Sequence, residues 1–239
     1  MSVYDFDRKG FLSSYVYAHR VKVLGVYAGQ FDECGKLSEQ AQSLVVNSKV
    51  KESEKSKICS LLFAERTLRG CQAAIRLCEI GMVQEAQVLT RTALETMFHS
   101  SALLVKPEIV DDIVLNDDHE ARKFADSILK DVSKDEVSQD DKDYLEALRE
   151  RSKGKQFSVY DSAKIANMSR KYAVEYRFLS AMAGHATIRS LDRSLAPEGS
   201  GYAFYIGPSV DQLELTLSIV AHCLEQCVYI LKFLMRDLK

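Results

Sequence analysis

Only three prolines (Pro107, Pro197, Pro208) and eleven glycines occur in 239 residues, so little in the chain interrupts a helix. The six cysteines contain no C-x-x-C pair and no compact framework, which argues against a zinc or disulfide scaffold. Cys71/Cys78 and Cys223/Cys227 are instead seven and four residues apart on apolar helix faces, as small buried hydrophobes in a reducing cytoplasm would be. Excess charge of one sign is also missing. With 32 basic and 34 acidic residues the net charge is -2, and the pI is near 6.2. No global field gathers nucleic acid, and no DNA partner is expected, although a local basic cleft is compatible with this balance.

Other absences narrow the chemistry. There is no Walker loop, G-x-G-x-x-G, zinc knuckle or nucleophile elbow, and no repeat of 20–50 residues. The N-terminal MSVYDFDRKGF has acids where a signal peptide carries basic residues and an apolar run, so no export signal is read. The most apolar late segment, Ile219–Met235, carries His222, Glu225, Gln226 and Lys232. It is shorter than the roughly 20 apolar residues a span needs, so no membrane segment is expected and the location is expected to be cytoplasmic.

What is present reads as helix almost throughout. Hydrophobic content of 46% and charged content of 28% are those of an ordinary globular chain. Residues 5–46 place Phe11, Tyr15, Ala18, Val21, Leu24 and Ala28 at helical spacing, then Leu37, Ala41 and Leu44, in one helix or two. Ile58–Ile80 is a strong amphipathic helix through Leu61, Leu68, Cys71, Ile75 and Cys78, and Gly81 is a good stop. A second helix follows at once, so the two predict an antiparallel hairpin. Asp111–Lys155 carries fourteen acidic against nine basic residues, with short helices expected near 108–115, 118–131 and 139–152. Helix returns over Ser162–Met168 and Tyr172–Leu191, and Ser209–Leu238 has the most regular stripe in the chain. The expected fold is therefore an all-α bundle of about seven to nine helices with a helical-hairpin core and one short irregular or extended segment near 199–207. Residues 1–239 read as a single domain, with 108–156 as an acidic helical insertion packed on the bundle.

Gly81–His99 holds the most informative polar residues. Apolar or small side chains surround this helix, as on a helix buried in mid-domain, yet Arg91 and Glu95 sit among them one turn apart. Arg precedes Glu, the weaker order for support on a solvent face, so the pair is expected either to be forked together or to face a cleft where Arg91 holds an anion. A second polar stretch, Tyr176-Arg177-x-x-Ser180-x-x-x-Gly184-His185, has small residues that let another backbone approach. His185 could be a satisfied core histidine, or a general acid/base with Arg177 stabilising charge in RNA cleavage. The helical di-metal signature needs Glu-x-x-His on two helices. Glu95/His99 and His222/Glu225 lack that form, so neither a metal nor a cofactor is expected.

Gly81-x-x-x-Glu85-Ala86-x-x-Leu89-x-Arg91-x-x-x-Glu95, followed by Tyr176-Arg177-x-Leu179-Ser180-x-x-x-x-His185, resembles the bacterial family called domain of unknown function 5677. The first motif also resembles the HEPN (higher eukaryotes and prokaryotes nucleotide-binding) superfamily, and the likeness covers about residues 58–191. The resemblance implies a helical bundle, often a homodimer, and for HEPN members metal-independent ribonucleases of toxin–antitoxin or phage-defence systems. Their signature is an Arg and then a His four to six residues on. The nearest match here is Arg177 with His185, with seven residues between them. Three functions stay open: a HEPN-like module binding a nucleotide or RNA through Arg91, Glu95, Tyr176 and Ser180; an endoribonuclease with Arg177 and His185 catalytic; and a structural or protein-interaction bundle.

Overall fold

The scarcity of proline is realised as long helices. The computed structural model describes residues 3–131, 138–151, 156–184, 195–204 and 206–236. In chain order the helices are α1 (Val3–Lys9), α2 (Tyr15–Val26), α3 (Ala28–Asn47), α4 (Lys55–Glu79), α5 (Val83–Val105), α6 (Val110–Asp131), α7 (Gln139–Arg151) and α8 (Val159–Ile165). A helical run over 169–184 follows (α9), and then α10 (Leu213–Arg236). The fold is all-α, as expected, apart from one small hairpin among the described residues.

α4 and α5 form the predicted antiparallel hairpin and share the most extensive helix–helix contact. Small and hydroxyl side chains line their seam. Ser60 and Ser100 bond one another, Thr67 Oγ1 meets Thr96 Oγ1 at 2.8 Å, and a Cβ on Gly70 would lie 3.3 Å from that of Ala93. Gly81 makes the turn possible. Its φ is +79°, and a Cβ there would lie 2.6 Å from Pro208 Cβ and 2.7 Å from His19 Nε2, so only glycine fits. The Gly81 carbonyl accepts from the Ser209 N–H at 2.9 Å, which ties this turn to the approach of α10.

α10 completes the core by packing on α3, α4 and α5. Its three-and-four stripe of Leu213, Leu217, Val220, Leu224, Cys227, Leu231 and Leu234 is buried. Gln212, at φ +57°, delays the helix to Leu213 rather than the expected Ser209. Among the described residues α10 is the one helix long and apolar enough to cross a membrane by length and composition. Of that apolar window, 61% is buried inside the bundle.

Two local readings differ from expectation. The break expected near residue 117 does not occur, and α6 is continuous. Asn116, within this continuous helix, accepts a hydrogen bond from the Phe157 N–H at 2.9 Å and anchors the incoming chain. α6 packs chiefly on α7 and more lightly on α4. The extended segment is a two-stranded antiparallel hairpin, β1 (Leu195–Glu198) and β2 (Gly201–Phe204), pairing Leu195 with Phe204 and Glu198 with Gly201. Gly199, at φ +58°, makes its two-residue turn.

Candidate functional site

α5 projects Arg91, Glu95 and His99 at intervals of four, and α9 lies against it. α9 is not a uniform helix. It runs as α over Ser169–Lys171, π over Tyr172–Tyr176, α over Arg177–Leu179 and π over Ser180–Gly184. A π turn closes i→i+5 bonds and is wider than an α turn, so the average approaches four residues per turn. In an unbroken α-helix each step of four would swing roughly 40° around the axis. Here Tyr172, Tyr176, Ser180 and Gly184 line up along the side that faces α5.

That alignment closes a polar ring. Arg91 Nε donates to Ser180 Oγ at 2.9 Å, and Arg91 Nη2 donates to the Tyr176 hydroxyl at 2.7 Å. Tyr176 in turn donates to Glu95 Oε1 at 2.8 Å, and the same oxygen lies 3.0 Å from Arg91 Nη2. Ser180 donates to the Tyr176 carbonyl at 2.9 Å, so its lone pairs face the guanidinium. The guanidinium carbon also sits 4.9 Å from the Tyr176 ring centroid. Gly184 leaves room for this. A Cβ there would come within 3.0 Å of Arg91 Cδ and 3.1 Å of Nε. Burial, then the bond to Glu95 and its charge, pushes the Tyr176 hydroxyl up to about 12, so the proton stays on tyrosine and is shared with the carboxylate. The Arg91 and Glu95 side chains are 23% and 24% exposed, which leaves the ring at the edge of solvent rather than sealed.

All four members of the ring lie in residues 57–202, and those residues match the model of a family described as a family of unknown function (DUF5677). The chain belongs to this family. No curated protein and no solved structure matches it. The DUF5677 region holds α4 to α9, so the family's span contains the helical hairpin, the acidic α6–α7 segment and the polar ring together.

Within the DUF5677 region the other predicted residues are placed differently. Arg177 is exposed, and its side chain makes no hydrogen bond or ion pair among the described residues. His185 lies outside the described residues. His99 is two turns along α5 from Arg91 and does not join its ring. Its Nδ1 meets Ser162 Oγ at 2.7 Å, and its ring lies between Phe63 (centroids 5.2 Å apart) and Phe157 (6.4 Å). Burial pushes this imidazole down to about 4, so it is neutral near pH 7. Ser162 was not singled out from sequence. The legible signal was Ser158-x-x-Asp161, which forms a reciprocal capping box and starts α8 earlier than apolar spacing suggests.

Cysteine and histidine behave as core and surface residues. Burial pushes the Cys34, Cys78 and Cys227 thiols up to about 12, and Cys71 is raised by its contact with Cys223 and by burial. His222 Nδ1 lies 3.4 Å from Glu175 Oε1, which Lys171 also approaches at 3.4 Å. Among the described residues no group of three or more His, Cys, Asp or Glu side chains is placed to hold a metal ion.

Proposed function

We propose that the chain is a HEPN-like helical module that binds a phosphate of a nucleotide or RNA at Arg91 without cutting it. The observation that carries this reading is the state of the guanidinium. Ser180, Tyr176 and Glu95 hold Arg91 through Nε and Nη2, and Nη1 makes no hydrogen bond among the described residues. Arg91 is therefore oriented in advance, with donors left over at a partly exposed edge, which is the arrangement that favours planar recognition of a phosphate. Two π turns in the opposing segment add support, since such turns recur at functional sites. The net charge of -2 fits one small phosphate contact better than a general RNA track.

The test is titration of the protein with labelled oligoribonucleotide and with nucleoside mono- and triphosphates, comparing wild type with Arg91→Lys. Lysine keeps the charge but not the fork, and about tenfold weaker binding is expected, with log Kd rising with log salt along a shallow slope. Equal binding by the variant sinks this reading.

A second reading rests on the 3.0 Å Arg91–Glu95 pair itself. A carboxylate that already neutralises the arginine makes the ring a brace that locks α9 on α5 in a structural or protein-interaction bundle. Under that reading Arg91→Lys lowers the melting temperature, and neither protein binds nucleotide or RNA.

A further inference from the structure

The lysine-rich connection before α4 has no part in the polar ring, but it borders a cavity. That cavity, about 480 Å³, opens where α4 begins and where α5 and α10 end. Pro107, Leu104 and Phe233 provide an apolar wall over the buried Leu103 and Leu234. Ser53, Glu54, Lys55, Ser56 and Lys57 make the opposite rim. The size falls in the range of small-molecule sites, roughly 300–1,000 Å³, and so does the composition, an apolar body with a few polar groups on one side.

The rim charge identifies the head group. Lys57 Nζ is held by Glu54 Oε1 at 2.8 Å, and Glu54 Oε2 takes the Lys51 N–H at 3.3 Å, so that carboxylate is engaged from two sides. Lys55 is exposed, and its side chain has no ion pair or hydrogen bond among the described residues. With Lys57 engaged by Glu54, the Lys55 ammonium is the exposed positive charge of the rim beside an apolar wall. The Ser56 hydroxyl makes only a long 3.5 Å bond to the Leu103 carbonyl, and it can turn toward a ligand at little cost.

We propose that this cavity is a binding site for a small amphipathic carboxylate, with its chain on Leu104, Pro107 and Phe233 and its head on Lys55 and Ser56. The charge complementarity is specific in sign: a cationic head meets Lys55, and a neutral head leaves it unpaired.

Calorimetric titration of the full chain with decanoate, kept below its micelle concentration, tests this. Saturable binding of one decanoate per chain is expected. Lys55→Glu, on the exposed rim where folding is not at risk, is expected to weaken it at least about tenfold, the worth of one favourable charge contact turned repulsive. Ser56→Phe, which fills the mouth, is expected to abolish it, with circular dichroism confirming that the helix content is retained. 1-Decanol is expected to bind at least about tenfold more weakly than decanoate. Absence of saturable decanoate binding overturns the proposal. Equal binding of decanol, or decanoate binding unchanged in Lys55→Glu, overturns the assignment of a carboxylate.

Discussion

Arg91 and His99 leave the same helix two turns apart, and each bonds a hydroxyl on the opposing segment, Ser180 in one case and Ser162 in the other. Their surroundings separate them. Arg91 keeps about a quarter of its side chain in contact with solvent and has a carboxylate and a phenol beside it, so its charge is satisfied. His99 lies between two phenylalanines with a neutral hydroxyl partner, so burial strips its charge. A polar residue on a buried helix thus becomes a charged, partly open contact or a neutral anchor according to what faces it. Its own spacing does not decide.

The contrast can be broken from the anchor side first. His99→Ala removes a ring packed between Phe63 and Phe157 and leaves Ser162 unpaired; a loss of about 3 kcal/mol in urea unfolding is expected. The wild type should also be sensitive to acid. The unfolded histidine takes a proton near 6.5, and the folded one only near 4, so between these values the unfolded state binds more protons. Stability is then full above pH 6.5 and falls as the pH drops toward 4, by on the order of 3 kcal/mol at most. Unfolding curves for His99→Gln should lack that slope, and an unchanged slope would place it elsewhere.

Smaller effects are expected at the ring. Arg91→Ala leaves Glu95 facing Tyr176 without its cation and should cost about 2 kcal/mol, less than a sealed pair would because solvent reaches the edge. Gly184→Ala places a methyl about 3 Å from a guanidinium stem that three partners hold in place. A net loss of about 1 kcal/mol by thermal melting is expected; a net gain, as for glycine-to-alanine in a free helix, would mean Arg91 yields easily. Ser180→Ala removes the Nε acceptor and the local bond to the Tyr176 carbonyl, and about 0.5–1 kcal/mol should be lost.

Much of this architecture is legible in the sequence. The α4–α5 hairpin follows from two apolar stripes separated by Gly81, and the α10 stripe from its spacing of three and four, since both are local patterns that need burial on one side only. Gly184 was also visible as a small residue permitting close approach. The ring was legible in membership and not in mechanism. Arg91, Glu95, Tyr176 and Ser180 could be named, yet a helical wheel fans Tyr176, Ser180 and Gly184 apart, because nothing in their side chains announces a π turn. The role of Asn116 was not legible, because its partner, the Phe157 amide, is forty-one residues away.

Periodicity, the near absence of proline and the one essential glycine settled by themselves that this chain is a helical bundle built on a hairpin, because hydrogen bonding within a helix and burial of one face are properties of a short stretch. Which polar residues stay charged was decided only by the tertiary structure. Desolvation and pairing depend on what the opposing helix presents, and that is fixed by how α9 winds over α5.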